Sequence, residues 1–216
     1  MTADLLAAAG AQPAHLLLGS QAVLLHGAAR ADAPVLWAAV EAIAARAPWR
    51  HMETPGGRAM SVATTNCGAR GWVSDRRGYR YATHDPLTGE PWPALPAALL
   101  RLARASAQAA GFEAFEPDAC LINRYAPGTR LSLHQDRDER DLAAPIVSVS
   151  LGLPATFLWG GMARGDKAWR VPLAHGDVVV WGGVDRLRFH GVLPVAPGSH
   201  PLTGPFRVNL TFRKAG

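Results

Sequence analysis

From Glu116 to the C-terminus the chain is a series of short runs cut by glycine and proline, and this pattern most restricts what it can fold into. Strand-like runs fall at 119–125, 130–136, 145–153, 155–159, 169–173, 177–181, 186–193 and 206–213. Pro127-Gly128, Gly160-Gly161, Gly182-Gly183 and Pro197-Gly198 separate many of them. Short strands at this spacing predict a sandwich or barrel. Two helices precede it. Asp32 is placed to cap the first, with Pro34 in its first turn, Val35, Leu36, Val40 and Ile43 on one face and Pro48 as its stop. The second starts near Pro96, carries Leu99, Leu100 and Leu102, and stops at Gly111. The expected layout is α+β, helices first and a β core after them, in one domain over 1–216.

Residues 50–94 are rich in Gly, Pro, Thr and aromatics and read as hairpins and turns. An aromatic-bearing insertion of this length is a candidate lid or binding loop, with a plain β-meander as the alternative. Apolar residues make up 49% of the chain and charged ones 18%, which supports a sizeable core and argues against global disorder. The net charge is +5, and all but Lys167 and Lys214 of the 22 basic residues are arginines. That balance suits a polyanion partner but is weak evidence alone. Cys67 and Cys120 form no CxxC and read as free thiols. Residues 1–30 lack the basic start of a signal peptide, and no run of about 18 apolar residues predicts a spanning helix. A cytoplasmic monomer is the expectation.

The chemistry centres on His134-Gln135-Asp136. On a strand, residues two apart share a face, so this pair can supply two ligands of a 2-His-1-carboxylate iron site. Alone it is more often the wet end of a strand, and that reading stands unless a third ligand appears. A third ligand must come from a neighbouring strand. His175, His190 and His200 are available, and His190, ending Leu187-Arg188-Phe189-His190, is best placed. In Arg207-Val208-Asn209-Leu210-Thr211-Phe212-Arg213 the polar residues share one face and the apolar ones the other. Two arginines on one face suit an anion; the alternative is an edge strand with a solvated basic face. Asn123 and Tyr125 share a face of the strand that turns at Pro127-Gly128 into the His134 strand.

The runs Asn123 to Gly128, Leu131 to Asp136 and Arg207 to Arg213 resemble the AlkB family of Fe(II)- and 2-oxoglutarate-dependent oxygenases, which remove alkyl groups from nucleobases. Further matching runs are Thr54 to Gly57, Met60 to Ala63, Thr65 to Gly68, Pro117 to Cys120 and His175 to Gly183, so the resemblance covers about Thr54 to Arg213. It implies a double-stranded β-helix (jelly-roll) over 116–213 with flanking helices, and a nucleotide-recognition lid over 50–94. It implies that His134, Asp136 and His190 ligate iron. Arg207 and Arg213 would hold 2-oxoglutarate, with Asn123, Tyr125 and Asn209 adding hydrogen bonds and O2 as the other cosubstrate. Trp72 would stack on the flipped base opposite His134. Tyr79 and Tyr81 would grip the nucleic-acid backbone, Asp138 would face the base edge and Arg164 would contact the substrate. The implied activity is repair of 1-methyladenine and 3-methylcytosine type lesions in single- or double-stranded DNA, with RNA as a further substrate. An oxygenase acting mainly on RNA or on another substrate class shares the same iron and anion residues.

Four positions depart from the family pattern. Thr64 stands where bacterial members carry methionine, near the expected base site. Leu158 and Trp159 replace a glutamine and a phenylalanine, and Arg188 replaces an aromatic. None is a ligand position, so these departures bear on base preference rather than on the reaction.

Overall fold

The computed structural model describes residues 14–216. The first thirteen residues of the expected domain lie outside the described residues. The chain opens with strands β1 (His15–Gly19) and β2 (Ala22–Leu25), then helix α1 (Ala33–Arg46). Four strands follow, β3 (Arg50–Glu53), β4 (Ala59–Gly68), β5 (Gly71–Asp75) and β6 (Gly78–Ala82), and then helix α2 (Ala97–Ala109). The remainder is β7 (Ala119–Tyr125), β8 (Leu131–His134), β9 (Ile146–Gly152), β10 (Ala155–Trp159), β11 (Trp169–Leu173), β12 (Val178–Trp181), β13 (His190–Val192) and β14 (Arg207–Arg213).

Eight strands form one sheet in the order β1-β2-β12-β9-β14-β7-β4-β3, four form a second in the order β11-β10-β13-β8, and β5 and β6 form a separate hairpin. All pairings between the named strands are antiparallel. The two larger sheets are the layers of a jelly-roll. Between them lies one core, with Leu24, Ile146 and Trp181 of the large sheet against Phe157, Val171 and Val192 of the small one. The other face of the large sheet packs Ile122, Val149, Val178, Leu210 and Phe212 against Leu36, Val40 and Ile43 of α1 and Leu99 and Ala103 of α2.

With both faces covered, β14 is buried from end to end and paired on each side, to β7 and to β9. It is a central strand, not the solvated edge that its two arginines also allowed. Its alternation sorts the strand as the sequence suggested: Val208, Leu210 and Phe212 face the helices, and Arg207, Asn209, Thr211 and Arg213 face the interior between the sheets.

Several expectations need correction. Strands precede the helices: β1 and β2 sit at one edge of the large sheet, so the layout is not helices first. Their apolar runs, joined at Gly19-Ser20-Gln21, are so short that they read alike as strand or helix, which hid them. Val35 is 54% exposed, because the buried face of α1 runs Ala33, Leu36, Val40, Ile43, and residue 35 lies about 100° from 36. Asp32 occupies the N-cap position but makes no side-chain capping bond. The strand expected at 186–193 is only β13, preceded by a single 3-10 turn at Gly183–Asp185. Within 50–94, β3 and β4 extend the large sheet and only the β5–β6 hairpin stands apart. Gly68 ends β4 at φ +115°, where a Cβ would lie 2.4 Å from the Asp118 carbonyl, and this bend lets the hairpin leave the sheet.

Candidate metal and nucleic-acid site

The interior face of β14 opens into a cavity of about 700 Å³ between the two sheets. His134 ends β8, and His190 begins β13 directly opposite it in the pairing register. Gly191 makes this approach possible, since a Cβ there would lie 2.7 Å from the Leu131 carbonyl oxygen. Strand β8 ends at His134, so Asp136 is not on the strand as expected. It turns inward just beyond it and still meets both histidines. Its Oδ1 is 3.6 Å from His134 Nε2, and its Oδ2 is 3.6 Å from His190 Nε2. One ligand atom from each of the three residues lies within 4.8 Å of the other two, the only such cluster among the described residues.

The tautomers suit a metal. His134 Nδ1 is 2.9 Å from the Ser132 carbonyl and His190 Nδ1 is 3.0 Å from that of Arg188. Each Nδ1–H donates to its carbonyl, which leaves both Nε2 lone pairs facing Asp136. Burial and the neighbouring His190 lower the His134 pKa to about 4, against the pull of Asp136. Burial opposes the charge on Asp136, but the Arg213 guanidinium and the histidines outweigh it and hold the carboxyl well below its usual range. At neutral pH His134 is therefore a free imidazole beside the Asp136 carboxylate.

The two arginines differ. Arg213 Nη2 and Nε donate to Asp136 Oδ2 at 2.6 and 3.1 Å, and Nε also lies 3.2 Å from Glu139 Oε1. Arg207 is 1% exposed and donates only from Nη2, to Ser150 Oγ at 3.0 Å. Its Nε and Nη1 are buried without an acceptor. Leaving such donors unpaired is costly, and a carboxylate is the group that satisfies a guanidinium fork. Burial pulls the Arg207 pKa down, against an opposing pull from Tyr125. Asn123, Tyr125 and Asn209 line the same cavity. The Asn209 amide already donates to Ser148 Oγ and the Val149 carbonyl. Three convergent lone-pair donors beside an unpaired buried cation fit a divalent metal with a carboxylate-bearing ligand.

At the cavity mouth sits the β5–β6 hairpin. Asn66 clamps the Trp72 backbone through both amide atoms, at 3.0 and 3.1 Å. The Trp72 ring stacks on Tyr79 with centroids 5.5 Å apart, and its Nε1 donates to Asp138 Oδ2 at 2.9 Å. Trp72, Tyr79, Asp138 and Arg164 all line the cavity. Arg164 donates to the Leu133 carbonyl at 2.6 Å and lies over Phe189. Tyr81 does not line it. Its hydroxyl points inward and donates to Glu139 Oε1 at 2.6 Å, so it is a poor candidate for gripping a backbone. Of the arginines around Trp72, Arg77 and Arg80 both pair with Asp75, and Arg76 lies 3.7 Å from Glu53. The free basic field of the hairpin is smaller than its arginine count.

Sequence reading missed Glu139 and Arg186. Both are buried, and Arg186 donates to Glu139 Oε2 at 3.0 Å and to the Asp136 carbonyl at 2.6 Å. The available signal was the charged run Asp136-Arg137-Asp138-Glu139, which places a second carboxylate three residues past the ligand. Thr64, expected near the base, is buried in β4 away from the cavity, with its hydroxyl toward the Arg50 carbonyl. Leu158, Trp159 and Arg188 also stay outside it.

Residues 21–213 match the model of the 2OG-Fe(II) oxygenase superfamily. The alpha-ketoglutarate-dependent dioxygenase AlkB of Salmonella typhimurium is 62% identical over 173 residues, 80% of each chain. The protein of the same description from Escherichia coli K12 is 55% identical over 208 residues, 96% of each chain. Among solved structures, that of OsALKBH1 superposes with a TM-score of 0.82 at 30% identity, covering 93% of this chain and 99% of that one.

Proposed function

Because the chain belongs to the AlkB family within the 2OG-Fe(II) oxygenase superfamily, we propose that it is the dioxygenase that removes N-alkyl groups from damaged bases in DNA, and from RNA as well. The observation that carries this reading is the His134–Asp136–His190 cluster beside the unpaired Arg207 guanidinium. In this reading His134, Asp136 and His190 hold Fe(II). Arg207 and Arg213 hold 2-oxoglutarate, with Asn123, Tyr125 and Asn209 completing its surroundings. When bound, iron with 2-oxoglutarate and O2 supplies the oxidation of the N-alkyl carbon, with succinate, CO2 and an aldehyde as by-products.

The protein's part is position and field. An alkylated base reaches the interior only by leaving its stack, which costs a few kcal/mol, less for a lesion that already weakens pairing. Stacking on Trp72 returns about 1–3 kcal/mol, so the lesion's own weakness decides which base enters. Asp138, beside Trp72, places a carboxylate where it favours a cationic base such as 1-methyladenine or 3-methylcytosine. Among the described residues no helix is long and apolar enough to cross a membrane. The reading includes a cytoplasmic monomer, to be checked by light scattering and cell fractionation. Mass spectrometry of lesion-bearing single strands incubated with Fe(II) and 2-oxoglutarate tests the activity. The expected result is loss of the alkyl mass from 1-methyladenine and 3-methylcytosine; retention on every lesion overturns the reading.

A further inference from the structure

Two of the four departures noted in the sequence, Trp159 and Arg188, converge outside the iron cavity. They line a second concavity of about 420 Å³, together with Lys167, Trp169 and Ser20. Trp159 forms its floor: it is buried, donates through Nε1 to the Leu18 carbonyl at 2.8 Å, and carries the Arg188 guanidinium 5.9 Å over its ring. Arg188 is already neutralised by Asp185 and anchored on the Gly160 carbonyl at 3.1 Å. Trp169 is the cross-strand partner of Trp159, so the two start on one face of the small sheet. Trp169 nevertheless stays 59% exposed. Lys167 is exposed and pairs with no carboxylate among the described residues. A bare indole beside a free ammonium is the chemistry that takes a nucleobase and its phosphate.

The loop between β10 and β11 connects this place to the proposed iron site. It carries Arg164 at the mouth of the iron cavity and delivers Lys167 and Trp169 to the second concavity. Three and five residues span at most about 11 and 18 Å between Cα atoms, so the two places lie within a few nucleotides of each other. Phe189 lines the first and its neighbour Arg188 the second, so one segment walls both.

We infer that this concavity is a second nucleic-acid subsite, holding a nucleotide beyond the immediate neighbours of the alkylated one on the same strand, out of reach of a trinucleotide centred on the lesion. Trp169 stacks on the base and Lys167 meets the phosphate. This rests on the nucleic-acid reading of the iron site, and the test separates the two. Affinity and dealkylation are measured for a lesion-bearing trinucleotide and for a single strand of roughly 15 nucleotides, long enough to fill an extended groove. Trp169→Ala weakens binding of the long strand at least about five-fold and leaves trinucleotide turnover unchanged. Trp169→Phe restores long-strand binding. Lys167→Gln flattens the salt dependence of long-strand binding by about one phosphate contact and also spares the trinucleotide. Unchanged long-strand affinity in Trp169→Ala and Lys167→Gln overturns the subsite and leaves the concavity to a protein partner. Equal loss on both substrates also overturns it. Failure of the unaltered protein to dealkylate either substrate overturns the iron-site reading instead.

Discussion

The Tyr81 hydroxyl donates to Glu139 across 2.6 Å, while Trp72, the cross-strand partner of Tyr81, donates to the adjacent Asp138. The hairpin is thus pinned at two points to the loop that carries Asp136. Glu139 passes the connection on, since it also meets Arg186 and Arg213, and Arg213 binds Asp136. Tyr81→Phe removes one pin and leaves Glu139 its two arginines. It should cost about 1 kcal/mol in urea unfolding. Its clearer mark is faster amide exchange in 71–82 with that of β14 unchanged. Equal exchange in both variants contradicts the pinning.

Glu139→Gln differs, because Arg186 and Arg213 then share an interior with one carboxylate fewer. Breaking a buried pair this way costs about 3–5 kcal/mol. The unfolding midpoint in denaturant should fall accordingly, and Fe(II) affinity with it, as Arg213 shifts its charge onto Asp136.

Arg207 makes the opposite prediction. It is buried with two guanidinium nitrogens, Nε and Nη1, unpaired. Arg207→Met removes an uncompensated cation, so the protein without ligands should be as stable as before or firmer by about 1 kcal/mol. Calorimetry should show 2-oxoglutarate binding abolished in the same variant. A large loss of stability would mean that Arg207 supports the fold rather than the cosubstrate.

Asp138 is proposed to read charge, and its acceptor role toward Trp72 has to be kept while this is tested. Asp138→Asn does so. We expect kcat/KM for 1-methyladenine and 3-methylcytosine to fall at least about ten-fold, an effect of 1.4 kcal/mol, with neutral lesions much less affected. Equal loss on cationic and neutral lesions rules the charge filter out.

The Arg50–Asp85 pair under the lid gives a pH signature. Burial opposes the Asp85 charge, but the Arg50 guanidinium and the Leu87 N–H outweigh it and hold the carboxyl below its ordinary value. A depressed carboxyl contributes stability that is present above its unfolded pKa of about 3.9 and fades as pH falls through the folded value. Asp85→Asn should therefore cost about 1–3 kcal/mol at neutral pH, with the gap closing below about pH 4. A gap independent of pH contradicts this.

What the sequence disclosed depended on whether the signal was local. The alternation of Arg207 to Arg213 named the face of each side chain, and the turns after β7, β10 and β12 marked their ends, because period and punctuation are properties of neighbours. His134 and Asp136 were legible as a pair, but only pairing of β13 with β8 brings His190 to them. Strands β1 and β2 were hidden because short apolar runs read alike as strand or helix. The Glu139–Arg186 bridge spans 47 residues, so the charged run marks Glu139 but not its partner. Tyr81 shows the same limit, since the partner of its hydroxyl lies 58 residues away.

The central claim is that one cluster couples 2-oxoglutarate turnover to removal of an alkyl group. It is tested most directly by measuring succinate and aldehyde together from one methylated oligonucleotide, for the unaltered protein and for Asp136→Ala. The account predicts equal amounts of both products, dependent on Fe(II) and O2, and neither product from the variant. Succinate without aldehyde on every methylated base, or aldehyde that survives Asp136→Ala, would contradict it.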